Sequence, residues 1–188
     1  SDDTYVGHEN GSENPQAVRN VSSIGTYYSS PDAPLIWMNY AELKFIEAEA
    51  EYIVNGQSAA EPVLEEAIRA SFEQLDVTGL SNVDQTYVDN FVQNRINDFN
   101  NATDPLEVLI TEKYKANFIG LEPFNDWRRT GYPDLTPAAN AVTDGGVIPR
   151  RFPYPESEFT NNANQVPSGI GQGVTALDAP VGWDPTSN

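Results

Sequence analysis

Two doubled arginines mark the places where this sequence could do chemistry. One lies in FNDWRRTGYPDL (residues 124–135), the other in IPRRFPYPESE (148–158). The chain has ten Lys and Arg among 188 residues, so Arg128, Arg129, Arg150 and Arg151 hold four of the ten. A guanidinium can grip an anionic ligand. It can also fork onto a carboxylate or stack on an aromatic ring, which Lys does poorly. With 28 Asp and Glu and a formal net charge of −18, carboxylates are the abundant partner, and structural ion pairs are the expected use. Adjacent helical residues point about 100° apart, so Arg128 and Arg129 should serve different partners.

Other chemistry is thinly supplied. There is no cysteine, hence no disulfide, no thiolate nucleophile and no Cys-ligated zinc. The single histidine, His8, lies in a polar, glycine-rich leader and reads as an exposed terminal side chain. A zinc triad or a Ser-His-Asp site of the common kinds would depend wholly on it. Two carboxylates at a suitable separation can hydrolyse a glycosidic bond. Among 28 acids, however, such pairs carry no diagnostic weight. No phosphate-binding glycine motif and no EF-hand loop is present, so catalysis, metal ligation and a cofactor are not expected. The strong negative charge disfavours nucleic acid and anionic lipid surfaces.

The elements that must position these residues fall into three zones of one expected unit. Residues 1–34 are rich in Gly, Ser, Asn and Pro and read as loop, with one short strand around Val18–Ile24. Residues 35–122 carry helical periodicity. Ala41, Phe45, Ala48 and Tyr52 form one row, and Leu43, Ile46, Ala50 and Ile53 a second, which suggests a helix packed on more than one side. A capping box at Ser58 and Glu61, with Pro62 in the first turn, opens the next helix. A third is expected over Asp84–Asn100 with the stripe Val88, Phe91, Val92, Ile96 and Phe99. A fourth starts at Asp104-Pro105 and continues through Phe118 and Leu121. Four helices on short turns make two antiparallel hairpins, so the fold class is mainly α, with tetratricopeptide-like hairpins.

Residues 123–188 lose periodicity and hold nine prolines, yet keep Phe124, Trp127, Tyr132, Phe152, Tyr154, Phe159 and Trp183. Such aromatics can supply enough burial to order a chain. An irregular segment wrapped in extended form over the helices is expected. Trp127, Arg128, Arg129, Arg150, Arg151 and Tyr154 would be the strap that ties it to the acidic layer. Phe124–Thr130 should form a turn or two of helix closed by Gly131.

Three blocks in order, PLIWMNYAELKFIEAEA, PFNDWRRTGYPDL and IPRRFPYPESEFTNNANQ, resemble the C-terminal part of SusD-like (SusD/RagB) proteins. The resemblance implies a non-catalytic surface lipoprotein that holds a nutrient, usually an oligosaccharide, over a SusC-like TonB-dependent transporter at the outer membrane. It further implies that this chain is the C-terminal portion of a longer protein, with the lipid-bearing cysteine far upstream. The motifs match scaffold and do not themselves place a ligand. Sugars stack on Tyr and Trp faces and bond Asn, Asp and Arg. On that ground Tyr27 and Tyr28, in a Gly/Ser/Pro loop, and Trp183, in a Gly-Trp-Asp-Pro turn, are the ligand-binding candidates, while Trp37 and Trp127 are assigned to the core. The competing reading is a tetratricopeptide-like protein-interaction scaffold that binds no glycan.

Overall fold

The computed structural model describes residues 6–8, 10–12, 21–75, 83–143, 146–173 and 177–184. These fall into two compact units, Thr26–Pro133 and Ser1–Gly25 with Asp134–Asn188. The first unit is helical. After a single turn, α1 (Thr26–Ser29), come α2 (Tyr40–Asn55), α3 (Gln57–Gln74), α4 (Gln85–Asn101), α5 (Pro105–Ala116) and α6 (Glu122–Thr130).

Local sequence explains most of the boundaries. Asn39 caps α2 by accepting from the Glu42 N–H at 2.7 Å, and Asp84 caps α4 by accepting from the Tyr87 N–H at 2.8 Å. Asp104 caps α5, accepting from Leu106 N–H at 3.0 Å, with Pro105 in the first turn. The α2–α3 hairpin closes on a single residue. Gly56 has φ 88° and ψ 176°, a region open in practice only to glycine. Because Gly56 ends α2 and caps α3 at once, α3 begins at Gln57 with no side-chain cap. The expected Ser58–Glu61 capping box is therefore a correction: those residues already lie inside the helix.

The core of this unit runs through Phe45, Ala48, Ala60, Leu64, Ala67, Ile68, Val88, Val92, Ile96, Phe99, Leu109 and Ile110. Alanines at 48, 60 and 67 allow α2 and α3 to approach closely, and the spacing of Val88, Val92, Ile96 and Phe99 turns one face of α4 onto them. Each fully buried Leu, Ile or Phe contributes about 1.5–3 kcal/mol by leaving water. Polar links join the hairpins. Gln57 Nε2 donates to the Phe99 carbonyl at 2.8 Å, and Arg69 Nη1 to Asp89 Oδ1 at 2.6 Å.

Several expectations are overturned. The second row of α2 is not packed: Leu43, Ile46, Ala50 and Ile53 are all exposed. Trp37 is 91% exposed and so is not core, because it precedes the Asn39 cap and takes no part in the helical face. The fourth long helix stops at Ala116, and Phe118 and Leu121 are exposed beyond it. Residues 1–34 are not all loop, since α1 lies among them. Of the strand expected over Val18–Ile24, residues 18–20 lie outside the described set, and 21–24 form no strand.

The other unit is mostly irregular. It holds α7 (Glu156–Asn161), a 3-10 turn (Ala163–Gln165) and an isolated antiparallel bridge between Ser12 and Ala141. Its buried centre includes Leu177 and Asp184, and the Arg150 N–H donates to the Leu177 carbonyl at 2.7 Å. Among the described residues, no helix is long and apolar enough to cross a membrane.

Candidate functional site

The doubled arginine of the helical unit sits at the end of α6, where each member has its own partner. Arg129 forks onto Glu49 of α2, with Nη2 to Oε2 at 2.9 Å, and also meets Asp126 at 2.7 Å. Asp126 is buried and takes Lys113 of α5 as well, at 3.0 Å. Hydrogen bonds donated to Glu49 and, less so, to Asp126 hold the Arg129 guanidinium charged more firmly than usual. Arg128 is buried instead, its guanidinium 4.1 Å from the centre of the Phe124 ring and its Nη2 bonded to Asn125 at 2.7 Å. Trp127 is buried. Gly131 takes φ 81° as its N–H bonds the Trp127 carbonyl, and Tyr132 donates to the Asp104 carboxylate at 2.6 Å. The DWRRTGY stretch thereby clamps α2, α5 and α6 together. In the other unit, Arg150 forks onto Asp184 at 2.6 and 2.7 Å, and Arg151 lies 5.0 Å from the centre of the Tyr154 ring.

A pocket of about 600 Å³ opens in the helical unit between the segment that leads into α2 and the turn after α5. Its walls carry Tyr28, Leu35, Ile36, Trp37, Phe118, Ile119 and Leu121. Asn39, Glu42, Gln74, Asn117 and Glu122 supply polar groups. Asn117 is 7% exposed, and its Nδ2 has no hydrogen-bond partner among the described residues; Gln74 Oε1 is in the same position. Burial, then the neighbouring Glu122 carboxylate, push the Glu42 carboxyl above the usual glutamate range. The turn itself is strained. Ile119 takes φ 71°, which costs a β-branched residue of order 1–3 kcal/mol. Gly120 donates its N–H to the Asn117 carbonyl at 2.8 Å, and a Cβ there would meet the same oxygen at 2.9 Å.

Of the ligand-binding candidates read from the sequence, Tyr27 and Tyr28 meet edge to face with ring centres 4.8 Å apart. Tyr28 stands edge-on to Phe118 at 5.6 Å and lines the pocket. Burial, with Tyr27 beside it, raises the Tyr28 hydroxyl above the usual tyrosine value. Trp183 is exposed in the other unit. Sequence reasoning missed Trp37, Glu42, Asn117 and Ile119. For Trp37 a signal existed: Asn39 followed three residues on by Glu42 marks a helix start, and leaves the tryptophan outside it. Among the described residues, no group of three or more His, Asp or Glu is placed to hold a metal ion.

Stacked hairpins locked by a charged clamp define a tetratricopeptide-like helical array. The chain belongs to the SusD-like family whose model is described as starch-binding and associating with the outer membrane, which matches residues 1–155. Two solved structures are similar at 29% identity. A chitin-binding protein aligns with a TM-score of 0.59, over 77% of this chain and 32% of its own. A SusD homologue from Bacteroides fragilis NCTC 9343 aligns with a TM-score of 0.66, over 88% of this chain and 39% of its own. This chain thus spans only 32% and 39% of the lengths of these two solved relatives. No curated protein matches it.

Proposed function

We propose that the protein to which this chain belongs binds a carbohydrate at the outer membrane without altering it. It delivers that ligand to a SusC-like TonB-dependent transporter while anchored by an N-terminal lipid. The observation that carries this reading is the family match over residues 1–155, whose description joins starch binding to the outer membrane. The similar chitin-binding protein supports a polysaccharide ligand. The charge of −18 supports it too, since it disfavours anionic polymers as partners.

The scaffold reading draws on one observation of its own. Leu43, Ile46 and Ile53 present an exposed apolar row along α2, the kind of surface that takes a partner helix.

Affinity gel electrophoresis of the full-length, lipid-free protein against a polysaccharide panel tests the proposal. Retardation by one polysaccharide with no shortening of the glycan is the expected result. Shortened product would make the protein an enzyme. Absence of retardation across the panel, with the transporter still captured, would favour the scaffold.

A further inference from the structure

The pocket beside α2 combines features that polar or apolar docking alone does not require. Trp37, 91% exposed, lines it and so offers an open indole surface, and Tyr28 lines it as well. Asn117 lines it too, nine-tenths buried and with an amide nitrogen that bonds nothing among the described residues. Two carboxylates, Glu42 and Glu122, also line it, and no Lys, Arg or His does so among the described residues. The strained φ of 71° at Ile119 puts that residue in the wall, and strain of this kind persists where the surroundings over-determine it.

We infer that this pocket is a sugar subsite for uncharged glycans, with Trp37 as the stacking platform and Glu42, Asn117 and Glu122 as partners for the hydroxyls. The inference rests on the carbohydrate-binding reading above and adds the place and the selectivity. A pyranose has one apolar face and a girdle of hydroxyls, so it asks for an aromatic surface with acceptors and donors around its edge. The volume of about 600 Å³ lies in the range of small-ligand sites and accommodates one or two rings. A carboxylate accepts from hydroxyl groups, and the Asn117 amide can donate to a ring or hydroxyl oxygen. Acidic sugars are excluded by the same residues. A uronate or sulfate would face Glu42 and Glu122 with no cation among the lining residues to receive it, at a like-charge cost that sharpens selection.

The full-length protein, its Trp37→Ala variant and a Glu42→Gln/Glu122→Gln double variant are compared on soluble starch, chitin oligosaccharides and polygalacturonate. Trp37 is exposed, so its replacement leaves the fold intact, and circular dichroism verifies this for all three proteins. The expected result is binding of a neutral glycan that weakens about tenfold in Trp37→Ala. Polygalacturonate should be refused by the parent protein and gain affinity relative to the neutral glycan in the double variant. Neutral-glycan binding untouched by Trp37→Ala overturns the pocket and leaves the carbohydrate reading standing. Preference of the parent protein for polygalacturonate also overturns it. Failure to bind any of the three glycans overturns both.

Discussion

Arg129 and Glu49 lie eighty positions apart in sequence and meet in a forked ion pair, with Nη2 2.9 Å from Oε2. Asp126, at 2.7 Å, joins the same guanidinium, and Lys113 reaches both carboxylates, at 3.0 and 3.6 Å. The Glu49 and Asp126 side chains are 9% and 5% exposed, so each needs a cation to be tolerated where it is.

Arg129→Ala leaves Lys113 alone between two buried carboxylates. Breaking a fully buried pair costs about 3–5 kcal/mol. The Arg129 side chain is 42% exposed, so water offsets part of that, and a loss of about 2 kcal/mol is expected. Arg129→Lys should restore only part, because an ammonium cannot fork. Urea unfolding followed by circular dichroism measures both. A midpoint unchanged by Arg129→Ala would show that the clamp contributes nothing to stability.

The second doubled arginine gives a parallel prediction in the other unit. Asp184 is wholly buried, and Arg150 meets both its oxygens while its backbone N–H holds Leu177. Arg150→Ala removes the forked cation from that buried carboxylate and should cost about 2–3 kcal/mol. Arg151→Ala removes only a contact with the Tyr154 ring and should cost under about 1 kcal/mol. Hydrogen exchange over residues 146–184 reads the difference locally. Equal exchange in the two variants would refute the asymmetry.

Much of this was legible in the sequence because it is local. Asp84 and Asp104 announce helix starts, Gly131 a helix end, and the spacing of Val88, Val92, Ile96 and Phe99 a buried face. What was not legible depends on distant or unusual backbone. A one-residue turn at Gly56 erases the capping box at Ser58, since a glycine-only conformation joins two helices without a loop. The apolar period continues through Phe118 and Leu121, so periodicity alone extends α5 past its end. The tight Asn117–Gly120 turn stops it instead. The pocket joins residues near 28–42 to residues near 116–122, with Gln74 between them in sequence, and no spacing rule reports such a meeting.

That turn makes opposite predictions for adjacent residues. At Ile119 a glycine would relax the φ of 71°, so Ile119→Gly should gain about 1 kcal/mol of stability while removing a wall of the pocket. At Gly120 a methyl group would meet the Asn117 carbonyl oxygen at 2.9 Å, and backbone cannot move aside cheaply. Gly120→Ala should therefore cost about 1–3 kcal/mol. Chemical denaturation of the two variants decides it. Destabilisation by Ile119→Gly would mean that the isoleucine's packing outweighs its strain.

Glu42 predicts how stability depends on pH. Burial and the neighbouring Glu122 raise its carboxyl in the folded protein above the ordinary glutamate value it regains on unfolding. Between those two values the folded state binds more protons than the unfolded state, so stability falls as pH rises through the window. Below the ordinary value both states are protonated and the full contribution is present. Above the raised value both are ionised, and the buried charge is borne at its full cost. Glu42→Gln keeps the shape and removes the proton, so the variant should lack this decline and gain on the parent protein as pH rises from the ordinary glutamate value through the raised one. Thermal melts of both proteins across that range measure the gap. A gap that stays constant with pH would show that Glu42 ionises as freely in the folded protein as in the unfolded chain. A gap that closes as pH rises would mean that its cation neighbour Lys113 governs it more than burial and Glu122 do.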